Sequence, residues 1–224
     1  MATLIACIHS LLAESDKKVR AEVVVGADFV TNYIWRGQKL GGISLQPAIG
    51  LTYGGFSASA WSSVGLDWSD PKEIDLAVAY QIAGLSIGVT DYYSTGEEAY
   101  LHYKARHTAH IFEGNIDYDF GFMILSWNTV FAGSDYYSGE ETKRSYSSYM
   151  QVGVPFEIAG LEWSVEVGAT PYRGAYAPAF AVVNVSLEGT KNICITNQLT
   201  VPVFGKLIAN PTDKSFYFVA GFSF

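Results

Sequence analysis

The segment Phe216–Phe224, FYFVAGFSF, constrains the fold more than any other part of this sequence. Its alternate positions are apolar: Phe216, Phe218, Ala220, Phe222 and Phe224. Successive side chains of a β-strand point to opposite faces, so a strand here would gather aromatic rings on one face. In water such a strand would be an adhesive edge, which soluble proteins protect with charge or proline. The pattern therefore favours a strand that closes a barrel and turns its aromatic face to lipid.

The same segment resembles the C-terminal signal by which outer-membrane barrels are recognised for assembly. That signal is a terminal phenylalanine with apolar residues at alternate positions behind it. On this resemblance Phe216, Phe218, Phe222 and Phe224 form a predicted assembly signal, and the barrel assembly machinery is a predicted partner. A soluble sandwich that ends on a buried strand is the alternative.

The composition supports a lipid-facing surface. The chain has 224 residues, of which 49% are hydrophobic and 15% aromatic, but only 16% are charged. An ordinary soluble domain has roughly 25% charged residues. No run approaches the roughly 18 consecutive apolar residues of a membrane helix, which excludes a helical membrane protein. A single-domain membrane barrel or an unusually apolar all-β protein is left.

The first residues predict an exported protein. Residues 2–13 are mostly apolar and are followed by the charged segment ESDKKVR, although a basic segment before the apolar stretch is missing. We expect a signal-peptide-like leader and junction over residues 1–20, cleaved between about residues 14 and 22, and a barrel domain over residues 21–224. Cys7 stands in a lipoprotein-like LIAC sequence, but an ordinary leader residue is the preferred interpretation. Cys194 is then the only cysteine of the mature chain, so no intramolecular disulfide is expected.

The rest of the chain alternates apolar and polar residues in about twelve segments, an even number that is typical of single-chain bacterial barrels. The predicted strands are 22–34, 43–53, 56–66, 72–82, 85–93, 106–119, 122–132, 144–156, 161–170, 179–189, 193–207 and 215–224. Every second break is tight: 54–55, 83–84, 120–121, 157–160 and 190–192. The other breaks are longer and polar: 35–42, 67–71, 94–106, 132–143, 171–178 and 209–214. Short periplasmic turns and longer extracellular loops are the asymmetry of an antiparallel outer-membrane barrel.

The alternation also predicts which side chains face inward. In IDLAVAYQI, Ile74, Leu76 and Val78 share the lipid face with Tyr80 and Ile82, and the residues between them face the lumen. The predicted lumen and selectivity residues are Asp28, Arg36, Asp75, Glu113, Asp117, Glu162, Glu166, Glu188 and Lys206. A hydrated acidic lumen would favour cations or polar neutral solutes over anions. Alternatively, Arg36, Arg106 and Lys206 neutralise the acids in a network that plugs the barrel.

Aromatic residues near the segment ends are interpreted as girdles at the membrane interfaces. The predicted girdle includes Tyr33, Trp35, Tyr53, Phe56, Trp68, Tyr92, Phe120, Phe122, Phe131 and Phe156. Residues 94–106 are predicted to form a longer loop, with a possible helical turn, that folds into the lumen.

Catalysis, metals and nucleic acid find little support in the sequence. His107, His110 and Glu113 would share one face only on a helix, and this stretch is predicted as a strand, so no metal or cofactor is expected. A G-x-S-x-G elbow is absent; an outer-membrane lipid hydrolase is a minor alternative, and no enzyme activity is predicted. A net charge of -8 without a basic patch disfavours nucleic acid.

The segment DFVTNYIWRG, Asp28–Gly37, followed by SLQPAIGLTYGGFSASAW and KEIDLAVAYQ, resembles a family of uncharacterised Gram-negative outer-membrane proteins. That family carries an (S/T)-(N/D)-Y-x-(W/F)-R-G motif, a Q-P or P-A stretch, a G-G-F turn and an E-(I/L)-D-L strand. The match covers about residues 27–93 and implies a β-barrel in the outer membrane with a porin-like role.

These observations together predict a monomeric outer-membrane barrel that acts as a narrow passive channel for small polar solutes. The barrel is predicted to be surrounded by outer-membrane lipid. Its selectivity is expected to come from the lumen carboxylates and the loop 94–106. A closed barrel with a structural or surface-interaction role is the alternative.

Overall fold

The computed structural model describes residues 20–96, 98–104, 107–138, 140–196 and 199–224. Of the predicted leader, only Arg20 belongs to these residues. Arg106 also lies outside the described residues. The described part of the chain is all-β, as predicted. Among the described residues, no helix has the length and apolar character needed to cross a membrane.

Within the described residues, twelve antiparallel strands close into one barrel. Their bounds are β1 Ala21–Val30, β4 Ser44–Tyr53, β5 Phe56–Gly65, β6 Glu73–Ile82, β7 Leu85–Ser94, β8 His110–Asp119, β9 Ile124–Gly133, β12 Ser148–Ile158, β13 Leu161–Thr170, β14 Ala181–Cys194, β15 Thr200–Asn210 and β16 Ser215–Ser223. Each strand pairs with its neighbours in this order, and β16 pairs with β1 to close the barrel. The predicted fold class is confirmed.

Two further hairpins in the described residues are not part of the barrel wall. One consists of β2 Tyr33–Trp35 and β3 Gln38–Gly41, and the other of β10 Tyr136–Tyr137 and β11 Glu140–Arg144. The predicted first strand, 22–34, is therefore wrong at its end, because β1 stops at Val30 and the chain then turns into β2. The predicted strand 144–156 begins too early for a similar reason, since Arg144 still belongs to the second hairpin and the barrel strand starts at Ser148.

The ring closes through the last strand. The amide of Ala27 donates to the carbonyl of Phe224 at 2.8 Å, and the amide of Phe224 donates to the carbonyl of Ala27 at 3.0 Å. Inside the barrel, the Ser223 hydroxyl donates to Asp28 Oδ1 at 2.6 Å across the same seam. The rings of Phe29 and Phe222 stack on the outer side at 5.5 Å between centroids. These contacts remove the open sheet edges that a barrel must not have.

Connections at the two ends of the barrel differ in length, as predicted. Ala83 and Gly84 both have positive φ, 47° and 83°, which suits a two-residue hairpin turn. We call this the short-turn end and the opposite one the loop end. One predicted turn is wrong: residues 190–192 lie inside β14, which runs to Cys194, and β15 starts at Thr200. β14 stays paired with β15 in register from Val185 to Cys194, so the strand runs through the predicted turn.

The inward and outward faces follow the predicted alternation. In β6, Ile74, Leu76 and Val78 are exposed outward, whereas Glu73 and Asp75 are buried inward. In β13, Val165 and Val167 face outward and pair in register with Val154 and Val152 of β12. A one-residue slip would exchange the two faces, so the register of these strands is strongly specified.

Candidate functional site

The hairpin β2–β3 folds into the loop half of the lumen, and we call residues 31–43 the plug hairpin. Its base is held by β16, because Thr31 Oγ1 accepts from the Ala220 amide at 2.9 Å and Asn32 Nδ2 donates to the Phe218 carbonyl at 3.1 Å. The chain thus leaves the wall after Val30 and continues into the barrel interior, anchored to β16.

The tip of the plug hairpin is a two-residue turn with a tight fit. Arg36 and Gly37 have φ of 49° and 78°, the left-handed pair that such turns require. Asn210 Nδ2 donates to the Gly37 carbonyl at 3.2 Å. A Cβ atom on Gly37 would lie 1.9 Å from the Val183 carbonyl oxygen. Only glycine therefore lets the tip sit against β14 and β15.

Arg36 crosses the lumen to the opposite wall. Its Nη1 and Nη2 donate to Glu113 Oε1 and Oε2 on β8 at 2.6 and 2.8 Å, a bidentate pair. Glu113 is fully buried and also accepts from the Tyr92 hydroxyl at 2.9 Å and from Asn115 Nδ2 at 3.0 Å. Four hydrogen bonds thus reach this carboxylate, which is what keeps a buried charge tolerable.

Aromatic rings surround the same guanidinium. Its Cζ lies 4.3 Å from the ring centroid of Trp35, 4.6 Å from that of Tyr149 and 5.7 Å from that of Tyr176. Nη1 also donates to the Tyr176 hydroxyl at 2.5 Å. Burial raises the pKa of Tyr176 to about 12, although Arg36 acts in the opposite direction, so this hydroxyl is neutral at physiological pH. Sequence reasoning missed Tyr176, because the loop 171–180 has no periodicity that marks an inward residue.

Beneath the plug hairpin lies a cavity of about 250 Å³ that is lined by both polar and apolar side chains. Lys206 Nζ reaches Glu166 Oε2 at 2.9 Å and Glu188 Oε2 at 3.3 Å on its floor. The Ser186 hydroxyl adds a hydrogen bond to Glu166 at 3.0 Å. Asp28 lines the same space. Polar groups of this number and arrangement suit a hydrated cavity.

The two halves of the lumen differ in the size and burial of their inward side chains. At the loop half, Ser44, Ser63 and Asp75 are at most 2% exposed, since aromatic residues and the plug hairpin cover them. At the short-turn half, small inward residues such as Ser59 and Ala77 remain partly accessible. The lumen is therefore closed at the loop half and accessible from the short-turn end.

The predicted lumen residues all face inward, but the structure divides them into separate groups. Arg36 joins Glu113, Lys206 joins Glu166 and Glu188, and Asp28 lies at the closing seam. Glu162 is at the short-turn end, where it accepts from Asn192 Nδ2 at 2.9 Å, and Asp117 faces inward opposite Ser126 and Ser86. Asp75 belongs to none of these groups.

His110 and Glu113 lie on opposite faces of β8, so the spacing of His107, His110 and Glu113 does not create a shared site. His110 faces outward and is fully buried: its Nδ1 lies 2.8 Å from Asp91 Oδ1, and its Nε2 lies 2.6 Å from the Tyr100 carbonyl oxygen. Both ring nitrogens thus contact acceptors, and neither contacts a serine hydroxyl in the described part of the chain. No cluster of three histidine, cysteine or acidic residues suited to a metal occurs among the described residues.

The loop after β7 differs from its prediction. The Tyr103 ring stacks on His110 at 4.2 Å, and the Tyr100 ring meets it edge-on at 5.2 Å. Because His110 is on the outer face, the described part of this loop packs against the outer wall and not in the lumen. Its predicted position in the lumen is therefore wrong for the described residues, and the plug hairpin and Tyr176 occupy the lumen instead.

Six residues of the predicted aromatic girdle lie exposed on the outer face. Tyr53, Phe56, Phe122 and Phe131 are exposed on the outer face, as are Phe120 and Phe156. Tyr33, Trp35 and Tyr92 were assigned wrongly, since all three lie inside the barrel around the plug hairpin. Local alternation does not reveal that the chain leaves the wall after Val30.

The fold and the site define a closed twelve-stranded barrel, in the described residues, with a plugged polar lumen. Comparison with known protein families, with curated proteins and with solved structures finds no match to this chain.

Proposed function

We propose that this protein is an outer-membrane barrel that acts as a narrow channel for small polar solutes and is gated by the plug hairpin. The observation that carries the proposal is the cavity of about 250 Å³ with charged side chains in its lining, which lies between an accessible half-lumen and a plug held by non-covalent contacts. The proposal involves no chemical step.

The outer face supports a membrane location. Val25, Phe216 and Phe218 are 71%, 66% and 56% exposed, and many other large apolar side chains of the wall are exposed as well. Contiguous apolar surface of this extent is rare on soluble monomers. Short turns at one end and long loops at the other are the arrangement of Gram-negative outer-membrane barrels. The segment Asp28–Gly37 resembles a family of outer-membrane proteins, and this resemblance also predicts a membrane location.

The charges of the cavity favour cations and neutral polar solutes over anions. Asp28, Glu166 and Glu188 contribute three carboxylates, and Lys206 neutralises one of them. The bidentate partner of Arg36, Glu113, cancels the charge of this guanidinium. A narrow passage with a net negative wall concentrates counter-ions.

A second candidate is a barrel that stays closed and has a structural or surface-interaction role. The Arg36–Glu113 pair favours it, because the pair spans the lumen with two short hydrogen bonds and is almost completely buried. On this view the plug hairpin is a permanent part of the core.

Conductance in planar bilayers, with Gly37→Ala as the opening variant, separates the two candidates. The added Cβ would collide with the Val183 carbonyl oxygen and displace the plug tip. Gly121→Ala is the matched control, because Gly121 also has positive φ, 84°, but a Cβ there has no neighbour within 4 Å. Both variants carry the same kind of backbone strain, and only one disturbs the plug.

The channel proposal expects brief, small openings for the wild type and for Gly121→Ala, and longer openings with higher conductance for Gly37→Ala. Glu166→Gln with Glu188→Gln should lower the cation preference of those openings. If the wild type never conducts at any voltage while Gly37→Ala does, the closed barrel is correct. Incubation with phospholipid followed by product analysis tests the lipid-hydrolase alternative.

A further inference from the structure

Asp75 differs from Glu113, the buried lumen acid whose carboxylate accepts four hydrogen bonds. Asp75 is 2% exposed, and neither of its carboxylate oxygens has a hydrogen-bond partner. An isolated buried carboxylate is costly, so a native structure normally pairs it with a donor or a cation. A buried group left without a partner therefore suggests a bound ion or water at that position.

A second acid lies beside it. Glu73 is two residues earlier on the same inward face of β6, is also buried, and interacts electrostatically with Asp75. The interior cations Arg36 and Lys206 form their ion pairs with other carboxylates, Glu113 in one case and Glu166 and Glu188 in the other. Two carboxyl groups, close enough to interact through a shared hydrogen bond when one of them is protonated, thus lie side by side in one part of the wall.

Neutral oxygen atoms border the same place. Glu73 is directly opposite Ser63 on β5, and the buried side chain of Gln46 donates through Nε2 to Ser63 Oγ at 3.5 Å and to Ser44 Oγ at 3.2 Å. Tyr33 of the plug hairpin interacts with Glu73 and Asp75 from the lumen side. Carboxylates together with hydroxyl and amide oxygens are the ligand set of hard cations.

We infer that Glu73 and Asp75 form a binding site for a divalent cation, with Ca²⁺ as the best fit. Two carboxylates balance a charge of two, and Ca²⁺ accepts the irregular, flexible oxygen coordination that such a wall provides, whereas Mg²⁺ demands an octahedron. The site departs from the sequence-based expectation that the protein binds no metal. It does not depend on the channel proposal, since a closed barrel would bind the ion equally well.

The position of Tyr33 gives the site a consequence for the plug hairpin. Without a cation, the two carboxylates repel each other directly beneath the first strand of the hairpin. A bound cation removes this repulsion and attracts the oxygen atoms of both the wall and the hairpin. Occupancy therefore stabilises the plugged form of the barrel.

The test uses the full chain, refolded in detergent that contains no lipopolysaccharide. EDTA removes bound metal ions, and the protein is then titrated with CaCl₂. Thermal unfolding and isothermal titration calorimetry are compared for the wild type, for Glu73→Gln with Asp75→Asn, and for Glu157→Gln with Glu162→Gln. The last pair is the matched control, because Glu157 and Glu162 are also opposed carboxylates, but they lie exposed at the short-turn end. Heat-modifiable gel mobility checks that each variant is folded.

We expect Ca²⁺ to raise the unfolding temperature of the wild type and of the control, with one equivalent bound at a dissociation constant on the order of 10⁻⁴–10⁻³ M, as in extracellular calcium modules. The Glu73/Asp75 variant should bind at least tenfold more weakly. Tb³⁺ luminescence sensitised by Trp61, the cross-strand partner of Asp75, gives a second readout if unfolding is irreversible. An equal Ca²⁺ response in that variant, or none in the wild type, overturns the inference. The absence of a Ca²⁺ response in the wild type would mean that the carboxyl groups of Glu73 and Asp75 share a proton.

Discussion

At the scale of single residues, the lumen is organised by one guanidinium. Arg36 places a planar fork of donors against Glu113 and a flat face against Trp35 and Tyr149. A lysine cannot reproduce either contact, because its ammonium is a point charge without the bidentate geometry. The arginine is therefore required by shape as well as by charge.

Glu113→Gln should destabilise the barrel by about 3–5 kcal/mol, because Arg36 would keep its charge in a buried position without a counter-ion. The double variant Arg36→Met with Glu113→Gln should recover most of this loss, since the unpaired charge is gone and the glutamine oxygen still accepts from Tyr92. Urea-induced unfolding of the detergent-folded protein measures both free energies. A double variant as unstable as the single one would show that the pair contributes by packing and not by charge.

At the scale of elements, each barrel strand separates two environments by alternation alone. Val78 and Ala79 are neighbours on β6, yet Val78 is 49% exposed on the outer face and Ala79 points into the accessible half of the lumen. The same contrast holds for Val165 and Ser164 on β13, where Ser164 pairs with the inward residue Pro155. One residue of displacement therefore decides whether a side chain lies on the outer face or points into the lumen.

Arginine at Val78 or Val165 should cost roughly 2–4 kcal/mol if the site is near the bilayer midplane. Arginine at Ala79 or Ser164 should cost clearly less, because the small inward residues around them leave room for a hydrated side chain. Guanidinium unfolding of the barrel in phospholipid vesicles gives the four values. Equal costs on the two faces would contradict a bilayer around this barrel.

At the scale of the whole molecule, the plug makes the lumen accessible from one end only. The short-turn half exposes small side chains, and the loop half is filled by the plug hairpin and by rings such as Trp61 and Tyr176. A hydrophilic reagent should therefore enter part of the barrel and stop beneath Arg36.

Cysteine labelling tests this asymmetry. In a background of Cys7→Ser and Cys194→Ser, a charged methanethiosulfonate should react rapidly with Ser59→Cys or Ala77→Cys and at least tenfold more slowly with Ser63→Cys, which replaces a residue that is 2% exposed. Adding Gly37→Ala should accelerate the reaction of Ser63→Cys, because the plug tip is displaced. Mass spectrometry of the intact protein measures the rates. Uniform labelling of all three positions would mean that the plug does not close the lumen.

Local sequence pattern was sufficient for the architecture. The alternation in β6, β13 and β16 predicts both the strands and their faces, because a period of two residues is a property of neighbouring side chains and needs no tertiary information. The turn at Ala83 and Gly84 is likewise local. The inward orientation of Asp28, Glu113 and Lys206 follows from the same rule.

Tertiary structure alone decided which inward residues meet. Arg36 and Glu113 are 77 positions apart, and only the closure of the ring brings the plug hairpin and β8 to the same depth. The same closure buries Tyr92 and Tyr176 in the lumen and isolates Asp75, while the loop with Tyr103 turns to the outer wall around His110. Alternation specifies a face but carries no information about distance across a lumen, which depends on the strand number, tilt and stagger of the whole barrel.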